Sequence, residues 1–435
     1  MGYLCGTLRV PIDYPSPSRG SVPLAVIEHT VPHSKGVIVF NPGGPGESGV
    51  LILPVLASFV PESVRSSFTL VSFDERGTGS SEPLLCGASP QQASSAIAGT
   101  KAAAQTFGGL GRSCRSDDPQ LFPTVDTTTS ARDMNSLRLA LGVDRINYYG
   151  LSYGTVLGSL YRQLYPNHVR SLVLDGAVDA NLKLSTDATL EAPAIQNALV
   201  HVLNSCSTVP GCTLGPHALS FYEQLSARLA QIPLPAPGDG DDLPVTAGDL
   251  MTATLLYLSA PSLTPGYFSA LSAAAAGDGA PLRSVALGLE TDLNGHSLVG
   301  PLWTITCNDV AVHPNATATA SLGQKLASRF PFGGTEAVAN NLIGCPGWTD
   351  STGSVRHLGV IRSNPPLVIG NTGDPNTPYA AAHLLAVTIG GRLVTYVGYG
   401  HSWLLNGSSN TCMQNVVSNY FTREVLPPRG TRCRP

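Results

Sequence analysis

The sequence predicts an α/β fold: a mostly parallel central sheet flanked by helices, interrupted by a large helical insertion. Three observations carry this. Apolar runs of the kind found in strands buried on both faces recur at residues 36–40, 68–73, 145–149, 169–175, 366–370 and 392–397. Helical spacing fills intervals between them, as at 127–141 and 155–164, and parallel strands need such crossovers to cover the faces of their sheet. From about residue 180 to 360 the strand signals thin out and Ala/Leu-rich helical stretches take over, after which the strand rhythm resumes. The chain therefore divides into a core in two parts, 1–180 and 361–435, and a helical cap, 181–360.

Taken in order, residues 6–14 and 22–28 are short alternating strands separated by Pro, Ser and Gly, an opening antiparallel pair. The strand at 36–40 ends in Asn41-Pro42-Gly43-Gly44-Pro45-Gly46-Glu47-Ser48-Gly49, where backbone N–H groups can approach a ligand unobstructed by side chains. The strand at 68–73 leads into Asp74-Glu75-Arg76-Gly77, a loop in which Asp74 and Arg76 are expected to form a charge-assisted pair. Residues 127–141 read as an amphipathic helix with cap candidates in Thr127-Thr128-Thr129-Ser130 and a stop at Gly142. Inside the insertion, residues 192–203, 218–232 and 269–276 read as helices, with a Pro/Gly/Asp linker at 235–242. No internal repeat is evident.

A chain of 435 residues can bury a large core, and a net charge of -4 with 12% charged residues leaves no basic stripe for nucleic acid. No apolar run reaches the length of a membrane span. The nine cysteines form no Cys-x-x-Cys pair and no Cys/His cluster at zinc spacing, so no structural metal is expected, and their dispersal suggests disulfides in an exported, secreted or cell-envelope protein. The expected pairs are Cys206 with Cys212, Cys412 with Cys433, Cys307 with Cys345, and Cys86 with Cys114, although sequence alone does not establish connectivity. Cys5 is left over, which suggests a partner, and a signal peptide or lipid anchor, upstream; a buried free thiol is the alternative.

The chemistry centres on Tyr149-Gly150-Leu151-Ser152-Tyr153-Gly154, a Gly-x-Ser-x-Gly pattern between a strand and a helix. Such a turn is sharp enough to require glycines on either side, and it exposes the serine. A serine hydroxyl needs a base to take its proton, and the base needs an acid to hold its tautomer. Asp374 and His401 each follow a strand, the place where open α/β sheets assemble a shared site, and the order Ser, Asp, His is that of the α/β-hydrolase fold. Asp175 also ends a strand and is the rival acid, although its place before the insertion suits a structural turn residue. Thr377 is expected to support the Asp374 carboxylate. The N–H groups of Tyr153 and Gly44 are the expected oxyanion donors.

These motifs, with Gly373-Asp374-Pro375-Asn376-Thr377-Pro378, Trp303-Thr304-Ile305-Thr306-Cys307-Asn308-Asp309 and the tail Leu426-Pro427-Pro428-Arg429-Gly430-Thr431-Arg432-Cys433, resemble the tripeptidyl-aminopeptidase and proline-iminopeptidase group of α/β hydrolases, in its exported actinobacterial branch. The resemblance covers nearly the whole chain. It implies hydrolysis of peptides from the N-terminus without metal or cofactor, and acidic cap residues that grip the substrate ammonium group. Where proline iminopeptidases usually place glutamates, this chain offers Asn308 and Asp309, so Asp309 is the candidate ammonium contact, with Glu47 as another. The expected partners are peptide or protein substrates, or acyl esters if the enzyme is a carboxylesterase or lipase-like hydrolase. A binding protein on a dead hydrolase fold is disfavoured, since no position of the triad is missing.

Overall fold

The computed structural model describes residues 2–88, 107, 109–238, 243–291, 297–313, 315–348 and 357–435. Among the described residues nine strands form one sheet: β1 (Leu4–Pro11), β2 (Ser21–His29), β3 (Val37–Asn41), β4 (Thr69–Phe73), β5 (Ile146–Leu151), β6 (Val169–Asp175), β7 (Leu367–Gly373), β8 (Arg392–Tyr399) and β9 (Arg432–Cys433). They lie in the order β1-β2-β4-β3-β5-β6-β7-β8-β9. β1 pairs antiparallel with β2, and β2 with β4; every other pairing is parallel. Because both faces of β3, β4 and β5 are covered, every residue of those strands is buried, which is why they read as unbroken apolar runs.

One apolar cluster fills each face of the sheet, around Tyr148, Leu157 and Leu172 on one side and Phe40, Tyr149 and Phe421 on the other. A third cluster lies almost wholly within the helices between β6 and β7, among them Leu184–Asn204, Ala218–Leu229, Ala247–Ser259, Thr264–Ala275 and Pro331–Leu342. Gly333 lets two of these helices touch, since a Cβ there would stand 2.1 Å from the Ala192 carbonyl oxygen. Residues 239–242 of the expected linker lie outside the described residues.

The helix expected at 127–141 runs Thr127–Ala140, but its N-cap is Asp126, whose carboxylate accepts the Thr129 N–H, and the threonines after it lie within the first turn. Gly142 stops it at φ 68°. The pairing of Asp74 with Arg76 is not formed. Arg76, fully buried, makes a bidentate pair with Asp133 at 2.7 Å and spends its remaining donors on Pro11 O, Ile12 O and Thr124 Oγ1. Asp74 instead accepts from Ser48 Oγ and from the amides of Val50 and Ser80, fixing the start of the helix Gly49–Phe59. Two residues apart on a turn, the two side chains diverge.

The four expected disulfides are present, and Cys5 is exposed with no disulfide partner. Among the described residues no helix is long and apolar enough to cross a membrane.

Candidate active site

β5 ends at Leu151, and Ser152 turns the chain into the helix Gly154–Leu164 with φ 53°, a conformation costly for a residue with a side chain. Its surroundings enforce the turn. A Cβ on Gly150 would meet Gly154 O at 2.3 Å, and one on Gly154 would meet Asn41 O at 2.8 Å, so glycine alone fits on both sides. The Ser152 N–H donates to Asp175 O at 3.0 Å, which pins the elbow to the end of β6. Ser152 itself remains partly exposed.

The loop after β3 lies against this elbow. Gly43, at φ 105°, comes so close that a Cβ would meet Leu151 O at 2.7 Å and Ser152 Cβ at 2.9 Å. The Gly43 N–H donates to Asn41 Oδ1. By contrast the amides of Gly44 and Tyr153 have no acceptor among the described residues, while both residues border the same cavity as Ser152.

Asp374 follows β7 and is buried. Its Oδ1 accepts from the amides of Asn376 (3.0 Å) and Thr377 (2.9 Å); its Oδ2 accepts from Thr377 Oγ1 (3.0 Å) and the Ser402 amide (3.1 Å). His401 Nδ1 lies 3.0 and 3.1 Å from the two oxygens and 3.2 Å from Thr377 Oγ1. Burial works against the charged imidazole, but the charge and hydrogen bond of Asp374, with the charge of Asp175 behind, outweigh it and raise the His401 pKa above 6.5. Gly176 makes room for the ring, since a Cβ there would be 3.1 Å from His401 Cε1. All the ring's hydrogen bonds to described residues run through Nδ1; none is made to Ser152.

Asp175 does not face His401 through a hydrogen bond. It accepts from Tyr149 Oη and from the amides of Trp403 and Leu404, which joins the end of β6 to the segment after His401; burial pushes it up to about 6. Ser259, at the end of a helix between β6 and β7, contacts both loops of the site. Its carbonyl accepts from the His401 amide and Asn406 Nδ2, and its hydroxyl, 2.6 Å from Leu255 O, also lies 3.0 Å from Asn376 Oδ1.

A cavity of about 430 Å³ opens over Ser152, bordered by Gly44, Tyr153, Asn376 and Thr377 at one end and by Asp187, Glu191, Asn340 and Asn341 of the helical segment elsewhere. Asp309 borders it too, with Oδ1 accepting the Thr127 N–H and Oδ2 the Thr127 hydroxyl. Those bonds join it to the start of the helix Thr127–Ala140. Glu47 does not border the cavity; its side chain packs beside Gly44.

Two acids that belong to no motif in the sequence stand out. Asp187 and Glu191 are four residues apart on one helix, hence on one face, a spacing that was available as a signal. Burial, with the nearby charge of Asp179, pushes Asp187 up to about 7. Burial also raises Glu191 well above the usual carboxylate range, despite amide donors from Asn340 and Asn341. Among the described residues no cation pairs with either.

Comparison with known proteins bears on this arrangement. The profile of the alpha/beta hydrolase fold family matches residues 36–408. The chain is 30% identical to serine protease Hip1 of Mycobacterium tuberculosis over 99% of its own length and 87% of that protein. It is 29% identical to carboxylesterase B of the same species, over 99% and 86%, and 28% identical to tripeptidyl aminopeptidase of Streptomyces coelicolor, over 99% and 83%.

Proposed function

We propose, for a chain that belongs to the alpha/beta hydrolase fold family, that it is a serine peptidase releasing residues from the N-terminus of peptides through an acyl-enzyme. Ser152 Oγ attacks the scissile carbonyl while His401 takes its proton through Nε2, the nitrogen left over by the bonds at Nδ1. Asp374 holds the tautomer and stabilises the imidazolium; the Gly44 and Tyr153 amides receive the oxyanion. His401 then protonates the leaving amine, and water repeats the sequence on the acyl-enzyme. That Ser152 and His401 are not yet bonded suits a resting enzyme, in which such contacts tighten only with substrate bound.

The observation that carries the peptidase reading is the pair Asp187 and Glu191. A buried carboxyl such as Glu191, with no cation beside it among the described residues, is costly, and a substrate ammonium group would supply the missing charge there and at the partly exposed Asp187. Asp309 borders the same cavity, although its oxygens already serve Thr127. In this reading residues 181–360 act as a cap over a core formed by 1–180 and 361–435. The four disulfides support a secreted or cell-envelope location.

The second reading, hydrolysis of acyl esters, draws support from the apolar part of the cavity wall, including Phe107, Val156, Leu302 and Trp303, and from the relative named carboxylesterase B. Free and N-acetylated peptides separate the two. A peptidase of the proposed kind cleaves the free peptide at least tenfold faster; equal rates, or faster cleavage of a short acyl ester, would favour the esterase. A fluorophosphonate should label the protein and leave Ser152→Ala unlabelled.

A further inference from the structure

The loop after β3 and the elbow after β5 are tied together by one buried carboxyl. Glu75, just past β4, accepts from Asn41 Nδ2 at 3.0 Å through Oε1, and Asn41 Oδ1 in turn holds the Gly43 amide at 3.0 Å. Its Oε2 lies 3.3 Å from Tyr153 Oη. Tyr153 Oη continues to Thr127 Oγ1 at 2.6 Å, and Thr127 Oγ1 to Asp309 Oδ2. Glu75 thereby spans the two segments that carry the Gly44 and Tyr153 amides.

The protons of this chain can be counted. Three oxygen-to-oxygen links run from Glu75 through Tyr153 and Thr127 to Asp309, yet tyrosine and threonine supply one hydrogen each. One carboxyl must supply the third. Asp309 also takes the Thr127 N–H in the first turn of the helix Thr127–Ala140, where a negative charge is favoured. Glu75 is 2% exposed and accepts no backbone N–H among the described residues, whereas Asp309 is partly exposed.

We propose that Glu75 is a protonated, neutral acid that positions the oxyanion hole, donating to Tyr153 Oη, holding Asn41, and so setting the spacing of the Gly44 and Tyr153 amides. Burial acts in the same direction, raising the Glu75 pKa against the donors around it. The chain ends on Asp309, so the helices between β6 and β7 anchor the hole from outside the core. The inference rests on the assignment of those two amides as oxyanion donors.

The test compares kcat and KM on a free peptide for wild type, Glu75→Ala, Glu75→Gln, Tyr153→Phe and Ser152→Ala. Misplaced oxyanion donors act on the transition state alone, so Glu75→Ala should lose about 100-fold in kcat and Tyr153→Phe about tenfold, with KM within about twofold. Glutamine donates and accepts as the neutral acid does, so Glu75→Gln should recover at least tenfold of the alanine loss. Glu75→Gln as impaired as Glu75→Ala would overturn the neutral acid, and wild-type kcat in Glu75→Ala would overturn the positioning role. If Glu75→Ala fails to fold, Tyr153→Phe decides, and wild-type kcat there overturns the proposal. Turnover surviving in Ser152→Ala would instead sink the assignment of the site, leaving the two failures distinguishable.

Discussion

Replacing Asp374 by asparagine tests the site where its geometry is most demanding. Each carboxylate oxygen already serves two donors besides His401: the Asn376 and Thr377 amides at Oδ1, and the Thr377 hydroxyl and Ser402 amide at Oδ2. An asparagine NH₂ must displace one set. At Oδ1 it would leave two amides unsatisfied, about 2–6 kcal/mol; at Oδ2 the Thr377 hydroxyl can turn to accept, leaving only the Ser402 amide, about 1–3 kcal/mol. The cheaper arrangement should prevail, so the variant folds with a modest loss of stability. The NH₂ group, 3.1 Å from Nδ1, and the turned Thr377 hydroxyl, 3.2 Å away, then both present hydrogens to Nδ1 against the one oxygen left at Oδ1, opposing the tautomer that leaves Nε2 as the base, and kcat should fall by about 10⁴. His401 must be neutral to act as base, so wild-type kcat/KM falls as pH drops through a pKa lying above 6.5. Asp374→Asn removes the main cause of that rise, so its residual kcat/KM should persist to lower pH. Melting curves with pH profiles of kcat/KM read all three effects. A loss in kcat below about tenfold, or an acid limb that stays where it is, would refute the assignment of Asp374.

Gly43→Ala should fold but lose at least about 100-fold in kcat, because its Cβ would press on Ser152 and the carbonyl of Leu151; steady-state kinetics beside a melting curve check it. Asp187→Asn and Glu191→Gln should each raise KM about tenfold, roughly 1.4 kcal/mol, for peptides with a free amine and leave N-acetylated esters unaffected. Asp187 is neutral below about 7, while the α-amino group loses its charge near about 8, so KM for free peptides should be lowest between those values and flat for acetylated ones. Asp133→Ala strands the Arg76 guanidinium without its partner, and denaturant titration should show a loss of about 3–5 kcal/mol.

The strands of the central sheet were legible because strands buried on both faces are continuous apolar runs, and Ser152, Asp374 and His401 because each follows its own strand. β9 was not, since two residues carry no pattern; it exists through pairing with β8 and the Cys412–Cys433 disulfide. Arg76 was matched to its neighbour in sequence, whereas its partner Asp133 lies 57 residues away and is brought there by the sheet. The run of threonines at 127–129 concealed Asp126, because four adjacent capping residues do not say which one stands outside the helix. Asp187 and Glu191 were passed over for a related reason. What makes Glu191 unusual is the cover laid on it by residues such as Asn340 and Asn341, about 150 positions further on.

Ser259 sets a limit on how the helices above the sheet can be altered. Because its carbonyl receives the His401 amide and its hydroxyl reaches Asn376, excising or exchanging that segment would leave the base's own backbone N–H without an acceptor. The helical segment is thus no removable accessory, and a trimmed enzyme would need a substitute acceptor there before its histidine could stand in register with the serine. A hinge that admitted large substrates by moving this junction would break the bond between Ser259 and the His401 amide, so bending elsewhere disturbs the base less.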